Sequence, residues 1–379
     1  MTALETHSHS HAPEDDSILF AVVGNPTSET HRWFVEGLCG EMRRLGHTPC
    51  EDPPAARLVL NVTSLEQPAA YRRRKTQTTY SVGILEGYEE PEDFVKAAYP
   101  LLVKSLSNLA IYLVWNGTQM DAHFVTMEQG HYVVRQDPSK PDDVFFQEVF
   151  ERLSPLVTAQ LVINNVYVPD LPEELWAGDE LTRQCQWAGE QLDEMNLLPA
   201  PWPVQDLLSE RDLRHVMLLY GIGGLSYGNL SVRRDATSFW MSASGVNKAR
   251  LQEVGRDILL VTGFDAEQHA MTLSVPPNVK PRRVSVDAIE HYMIYREHPD
   301  VGAIIHIHAW MDGTKSTHIN YPCGTRELAL SVSELVRRAP DPSRAIVGLK
   351  NHGLTITGHS LPEIFERIEG KVIPQVPMS

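Results

Sequence analysis

From residue 18 onward, short apolar runs alternate with segments whose apolar residues recur every three to four positions. ILFAVVGN (18–25) reads as a buried strand entering a loop, and HRWFVEGLCGEMRRLG (31–46) as the amphipathic helix after it. Strands are expected at ARLVLNVT (56–63) and TYSVGILEG (79–87), with a helix through EDFVKAAYPLLVKSL (92–106). NLAIYLVW, DAHFVTM and HYVVRQ read as three more strands separated by turn residues, followed by helix FFQEVFERLSPL (145–156) and strand AQLVINNVYVP (159–169). This alternation predicts a mixed α/β unit over 17–175 with a partly parallel sheet. Residues 176–203, with a helix at ELTRQCQWAGEQLDEMN and then LLPAPWP, predict a connector to a second unit over 204–379. Residues 1–16 are polar, acidic and aperiodic, which predicts a disordered tail; His7, His9 and His11 alternate there and offer at most a weak metal site.

The second unit carries the chemistry. A helix at LSERDLRHVMLLY (208–220) leads through glycines into a strand bearing Asn229 and Ser231. FWMSASGVNKARL (239–251) reads as a strand ending at Ser244–Gly245 before a helix. Small hydroxyls and amides beside glycine can cradle an oxyanion on backbone N–H groups, though either stretch alone also fits an ordinary turn. In AIIHIHAW (303–310) strand alternation projects His306 and His308 together while Ile305 and Ile307 point the other way. Two neutral imidazoles on one face need partners when buried, and a metal is an efficient one; a structural pair explains the motif equally well.

A third histidine shifts that balance. AIVGLK (345–350) runs into NHGLTITG, which places His352 at a strand-to-strand corner where Gly353 lets the backbone turn. SLPEIFERIE then opens a helix with a Ser360/Glu363 capping box. Three histidines with open positions suit a catalytic zinc site better than a closed structural one. SVDAIEHYMIYREHPDVG (285–302) reads as an amphipathic helix with Ser285 at its N-cap and Asp287 in its first turn. There the helix dipole would hold Asp287 ionised: a good ligand or orienting group, a weak base until substrate displaces it or water is excluded, or simply a helix-start carboxylate.

Composition narrows the partners. Lys plus Arg is 33 against 49 Asp plus Glu, a net charge of −16, which disfavours nucleic acid or an anionic membrane. No apolar run reaches membrane-spanning length. Cys39, Cys50, Cys185 and Cys323 are scattered without a CxxC pair, which fits a reducing cytoplasm rather than a disulfide framework. In the first unit the Gly24–Thr27 turn and the basic run Arg72–Lys75 read as an ordinary turn and a solvated loop, since no GxGxxG or GxxxxGK is present.

In order, GNLSVR, SASGVNK, SVDAIEHYMIYREHPDVGAIIHIHA and LKNHGLTITGHSLPEIFERIE resemble the class II aldolase/adducin family over roughly residues 204–379. The resemblance implies an α/β/α sandwich around a mainly antiparallel sheet. It also implies a divalent metal, usually zinc, with Fe²⁺, Mn²⁺ or Co²⁺ as alternatives, held by His306, His308 and His352. Asp287 takes the acidic position, as in the ribulose-phosphate 4-epimerases, where the fuculose-phosphate-type aldolases have Glu. Asn229, Ser244, Gly245 and Ser285 match positions that hold the substrate phosphate. The expected function is a metal-dependent lyase or epimerase that stabilises the enediolate of a small hydroxy-carbonyl substrate, in a homo-oligomer. The alternatives are a decarboxylase, a dehydratase, an iron oxygenase, or a non-catalytic adducin-like assembly module. Three departures stand out: Val286 replaces a second phosphate-binding Ser, the stretch after His308 is short, with Tyr321 and Asp312 as the nearby candidates there, and the first unit falls outside the family.

Overall fold

The computed structural model describes residues 17–72, 79–126, 130–199, 204–214 and 226–379. The N-terminal tail, Arg73–Lys75 of the basic run and the glycines preceding Ser226 lie outside the described residues.

Two sheets organise the chain. The first is seven-stranded in the order β2-β1-β3-β4-β5-β6-β7. It comprises β1 (Leu19–Gly24), β2 (Thr48–Pro49), β3 (Leu58–Val62), β4 (Tyr80–Gly87), β5 (Leu109–Trp115), β6 (Met120–Thr126) and β7 (Gly130–Arg135). Pairing is parallel through β5 and antiparallel for β6 and β7. Helices α1 (Glu29–Arg44) and α3 (Asp142–Thr158) bury Phe34, Leu38, Phe146 and Val149 in one core cluster, while α2 (Phe94–Ser105) buries Phe94, Ala98 and Leu102 in another. Near-continuous burial of β3, β4 and β5 is what a sheet covered on both faces requires. At the β1–α1 turn Ser28 caps the helix and the Glu86 carboxylate accepts from Thr27 and Thr30, so the turn's acidic partner comes from the chain itself.

The second sheet has eight strands in the order β14-β15-β13-β9-β10-β11-β12-β8. Its members are β8 (Asn164–Val168), β9 (Asn229–Arg233), β10 (Phe239–Ser242), β11 (Ile258–Asp265), β12 (Ala270–Ser274), β13 (Ala303–Ile307), β14 (Ile346–Leu349) and β15 (Gly353–Gly358). All neighbours are antiparallel except β12 and β8. Among the described residues it is covered by α4 (Glu180–Glu194), α5 (Ala288–Glu297), α6 (Arg326–Arg337) and α7 (Leu361–Ile368). The two sheets therefore split as expected, one mostly parallel and one mainly antiparallel within an α/β/α arrangement.

Three local expectations are corrected. Strand β8, read as the end of the first unit, pairs with β12, and α4, read as a connector, buries Cys185, Ala188 and Leu192 in the second core. Backbone pairing ties β8 to the second sheet and apolar burial ties α4 to its core, so we propose a boundary near residue 160. After Ser244–Gly245 the structure has only a single 3₁₀ turn at Lys248–Arg250, capped by Asn247. Ser360 caps α7 as expected, but the Glu363 carboxylate reaches the His359 N–H and Arg344 rather than closing the box.

Candidate metal centre

Register builds the centre. His306 on β13 lies opposite Asn229 on β9 and Thr355 on β15, so the three side chains form a row across one face. Ser231, two residues beyond Asn229, extends that row. Ile305 and Ile307 are fully buried on the other face. The N-terminal end of α5 docks on the polar row. Asn229 Nδ2 donates to Asp287 Oδ2 at 2.7 Å, the Thr355 hydroxyl donates to Glu290, and Ser231 Oγ meets His291 Nδ1 at 2.7 Å. This is why a helix read as amphipathic buries Glu290 and His291 beside Ala288 and Ile289.

His308 extends from the end of β13, and His352 reaches it from the β14–β15 corner. That corner depends on Asn351 in the left-handed region (φ 59°) and on Gly353, where a Cβ would stand 2.2 Å from the Ile307 carbonyl oxygen. Gly353 is needed less for turning than for letting the corner press against the histidine strand. The imidazole donor atoms of His306, His308 and His352 all lie within 4.8 Å of one another. His308 Nε2 and His352 Nε2 are 3.2 Å apart.

The donor chemistry fits a divalent cation. His306 Nδ1 faces the Leu354 carbonyl at 3.1 Å; a carbonyl only accepts, so Nδ1 carries the proton and Nε2 keeps its lone pair. That Nε2 is buried and has no hydrogen-bond partner among the described residues. Burial lowers His306 to about 4 and His352 to about 3, and it lowers His308 well below the ordinary histidine range. All three are therefore neutral near pH 7, the form that ligates zinc or another borderline metal.

Asp287 is 5% exposed, and its Oδ1 has no hydrogen-bond partner among the described residues. Burial pushes its carboxyl above the ordinary aspartate range, against His352, the Asn229 amide, the Gly324 N–H and Lys248. It occupies the cap position of α5 without a side-chain cap bond, and Ser285 lies two residues further out. Desolvation outweighs the helix start here, which is the water-excluded condition under which Asp287 is expected to gain basicity. Asn229 is committed to Asp287. Ser244, Gly245 and Ser285 meet along a two-stranded edge: Ser285 N–H donates to the Ser242 carbonyl and Ser244 N–H to the Arg283 carbonyl. Asp312 is exposed and Tyr321 partly buried.

Sequence reasoning passed over Lys248, Glu290 and Cys323. Lys248 is buried, and its ammonium donates to the Ser226 carbonyl at 2.6 Å; burial lowers it to about 8, with Asp287 opposing. Glu290 is pushed up to about 8 by burial and then by Asp287. Cys323 Sγ stands 3.2 Å from His352 Nε2. Lys248 and Cys323 sat inside quoted motifs, but a residue in a short turn gives no sign of which distant side chains it will meet.

Residues 212–314 match the model of the Class II Aldolase and Adducin N-terminal domain. The C-terminal region thus carries a class II aldolase/adducin family match. The match includes Asn229, Asp287, His306 and His308, whereas His352 lies beyond it. Methylthioribulose-1-phosphate dehydratase from two strains of Leptospira biflexa serovar Patoc is 27% identical over 112 residues, 29% of this chain and 49% of the relative. The chain thus spans about half the length of these curated relatives. Among solved structures, L-fuculose 1-phosphate aldolase aligns at 20% identity over 51% of this chain and 82% of that one, with a TM-score of 0.35. The YgbL protein of Klebsiella pneumoniae, described as an aldolase/epimerase/decarboxylase, aligns at 19% over 50% and 84%, with a TM-score of 0.32.

Proposed function

We propose that the C-terminal unit is a divalent-metal-dependent lyase or epimerase acting on a small hydroxy-carbonyl substrate, with His306, His308 and His352 as metal ligands. The carrying observation is the convergence of three buried neutral imidazoles, two of them with an unpartnered ring nitrogen among the described residues, beside a desolvated carboxyl. A bound cation would act as a Lewis acid on a substrate carbonyl oxygen. Asp287 would take a proton from the carbon next to that carbonyl and return it. Asn229 holds the Asp287 carboxyl through one oxygen and leaves the other for the proton. Lys248 supplies positive charge near Asp287, and with Ser244, Gly245 and Ser285 it would receive an anionic end of the substrate.

The dehydratase relatives favour a second reading within the same chemistry, in which loss of hydroxide follows proton removal. The adducin-like assembly reading is disfavoured by retention of all three histidines. Metal analysis of full-length protein purified without chelator tests the proposal. About one Zn, Fe, Mn or Co per chain is expected, lost in His306→Ala and His352→Ala. A metal-free native protein that binds no added zinc would refute it.

A further inference from the structure

We propose that residues 372–379 form a strap that positions His352 for metal binding and anchors its corner to the first unit. The inference rests on the metal reading above and gives positioning roles to Asn351, Met378 and Ser379. The strap begins on the second core, against which Val372 packs. Ile373 and Trp310, two residues beyond His308, then exchange a pair of backbone hydrogen bonds, each 2.9 Å. Trp310 itself closes over Gly348 on β14, where a Cβ would stand 2.4 Å from its ring. Further along, Val376 is buried and Met378 packs against the core of the first sheet. Ser379 returns to the second unit. Its N–H donates to Asn351 Oδ1 at 2.8 Å, and Asn351 Nδ2 donates to its backbone oxygen at 3.0 Å.

Asn351 directly precedes His352 and is 2% exposed. Its left-handed backbone turns the corner, and its amide, paired on both sides with Ser379, fixes where that corner sits. An amide buried this deeply is costly to leave unpaired, so the strap and the corner hold each other. The strap therefore ties down the chain just after His308 and just before His352. Their Nε2 atoms are 3.2 Å apart, and the three donor atoms of the centre lie within 4.8 Å. Ligands already gathered lose less freedom when a cation arrives, which favours binding. Residues 372–379 contain no His, Cys, Asp or Glu, so the strap leaves the open coordination positions to substrate. Through Met378 the first unit becomes part of the support of the centre, without itself touching the metal.

Zn²⁺ is the probe, with affinity read by competition against a chromophoric chelator. Two variants break the same contact from opposite sides: deletion of residues 377–379, and Asn351→Gly, which keeps the left-handed backbone and removes the amide. Each should weaken Zn²⁺ by about tenfold or more, the loss typical of a group that orients a ligand. The combined variant should bind no more weakly than the poorer single one, because one shared contact is lost only once. Met378→Ser, which loosens only the anchor on the first unit, should weaken Zn²⁺ in the same direction, and Met378→Leu should restore it. In metal-free protein, amide exchange at His352 should quicken in the weakened variants while that at Ile305 stays unchanged. Wild-type zinc affinity in Asn351→Gly, or losses that add in the combined variant, overturns this inference and leaves the metal reading standing. A wild-type protein that binds no zinc overturns both. If the deletion fails to fold, Asn351→Gly and the two Met378 variants decide the question.

Discussion

Asp287 shows how burial sets the chemistry of one residue. At a helix start it would ordinarily be ionised and inert, yet desolvation raises its affinity for protons while Asn229 fixes its orientation. Asp287→Asn should lower turnover at least ~100-fold on whichever substrate a metabolite screen identifies, with metal content retained. Equal loss of metal would instead make Asp287 a ligand. Glu290 makes a separable prediction about stability. Its folded pKa of about 8 lies above the 4.5 of an ordinary Glu, so the folded state prefers the protonated form. That preference contributes fully below pH 4.5 and is lost as pH rises through about 8. Glu290→Gln should therefore stabilise the protein at pH 8.5 and have little effect at pH 4, measured by urea unfolding.

At the scale of elements, β13, the β14–β15 corner and the start of α5 act as one device. The corner reaches the histidine strand only because position 353 has no side chain. Gly353→Ala should cost about 2 kcal/mol or more and lower metal affinity, since the added methyl meets backbone that cannot yield. A variant that melts at the wild-type temperature with full metal content would show that the corner is more pliable than its contacts imply. The polar row also explains the buried face of α5, where each charged or imidazole group meets a side chain from the sheet.

For the whole molecule, the second core gathers an unusual density of buried neutral histidine. His291 and His352 are lowered to about 3 and His306 to about 4, in each case first by burial. In the unfolded chain these groups protonate near pH 6.5, whereas in the fold they do so only below about 4. The stability they contribute is present above pH 6.5 and falls as pH drops toward 4, because the unfolded state gains protons first. Metal-free protein should show a urea midpoint that declines steeply over that range. Bound zinc should extend the plateau to lower pH by linkage. A flat profile in metal-free protein would show that the histidines are hydrated.

The sequence by itself determined the alternation of elements, the shared face of His306 and His308, and the placing of His352 at a glycine-bearing corner. These follow from local periodicity and backbone sterics, which act over a few residues. Only the tertiary structure decided that β8 joins the second sheet and α4 its core. It alone turned Asp287 from a solvated cap into a desolvated carboxyl, and it alone placed Lys248, Glu290 and Cys323 beside the histidines. Burial and cross-strand register are properties of distant segments brought together, and desolvation sets proton affinity only once those segments exclude water.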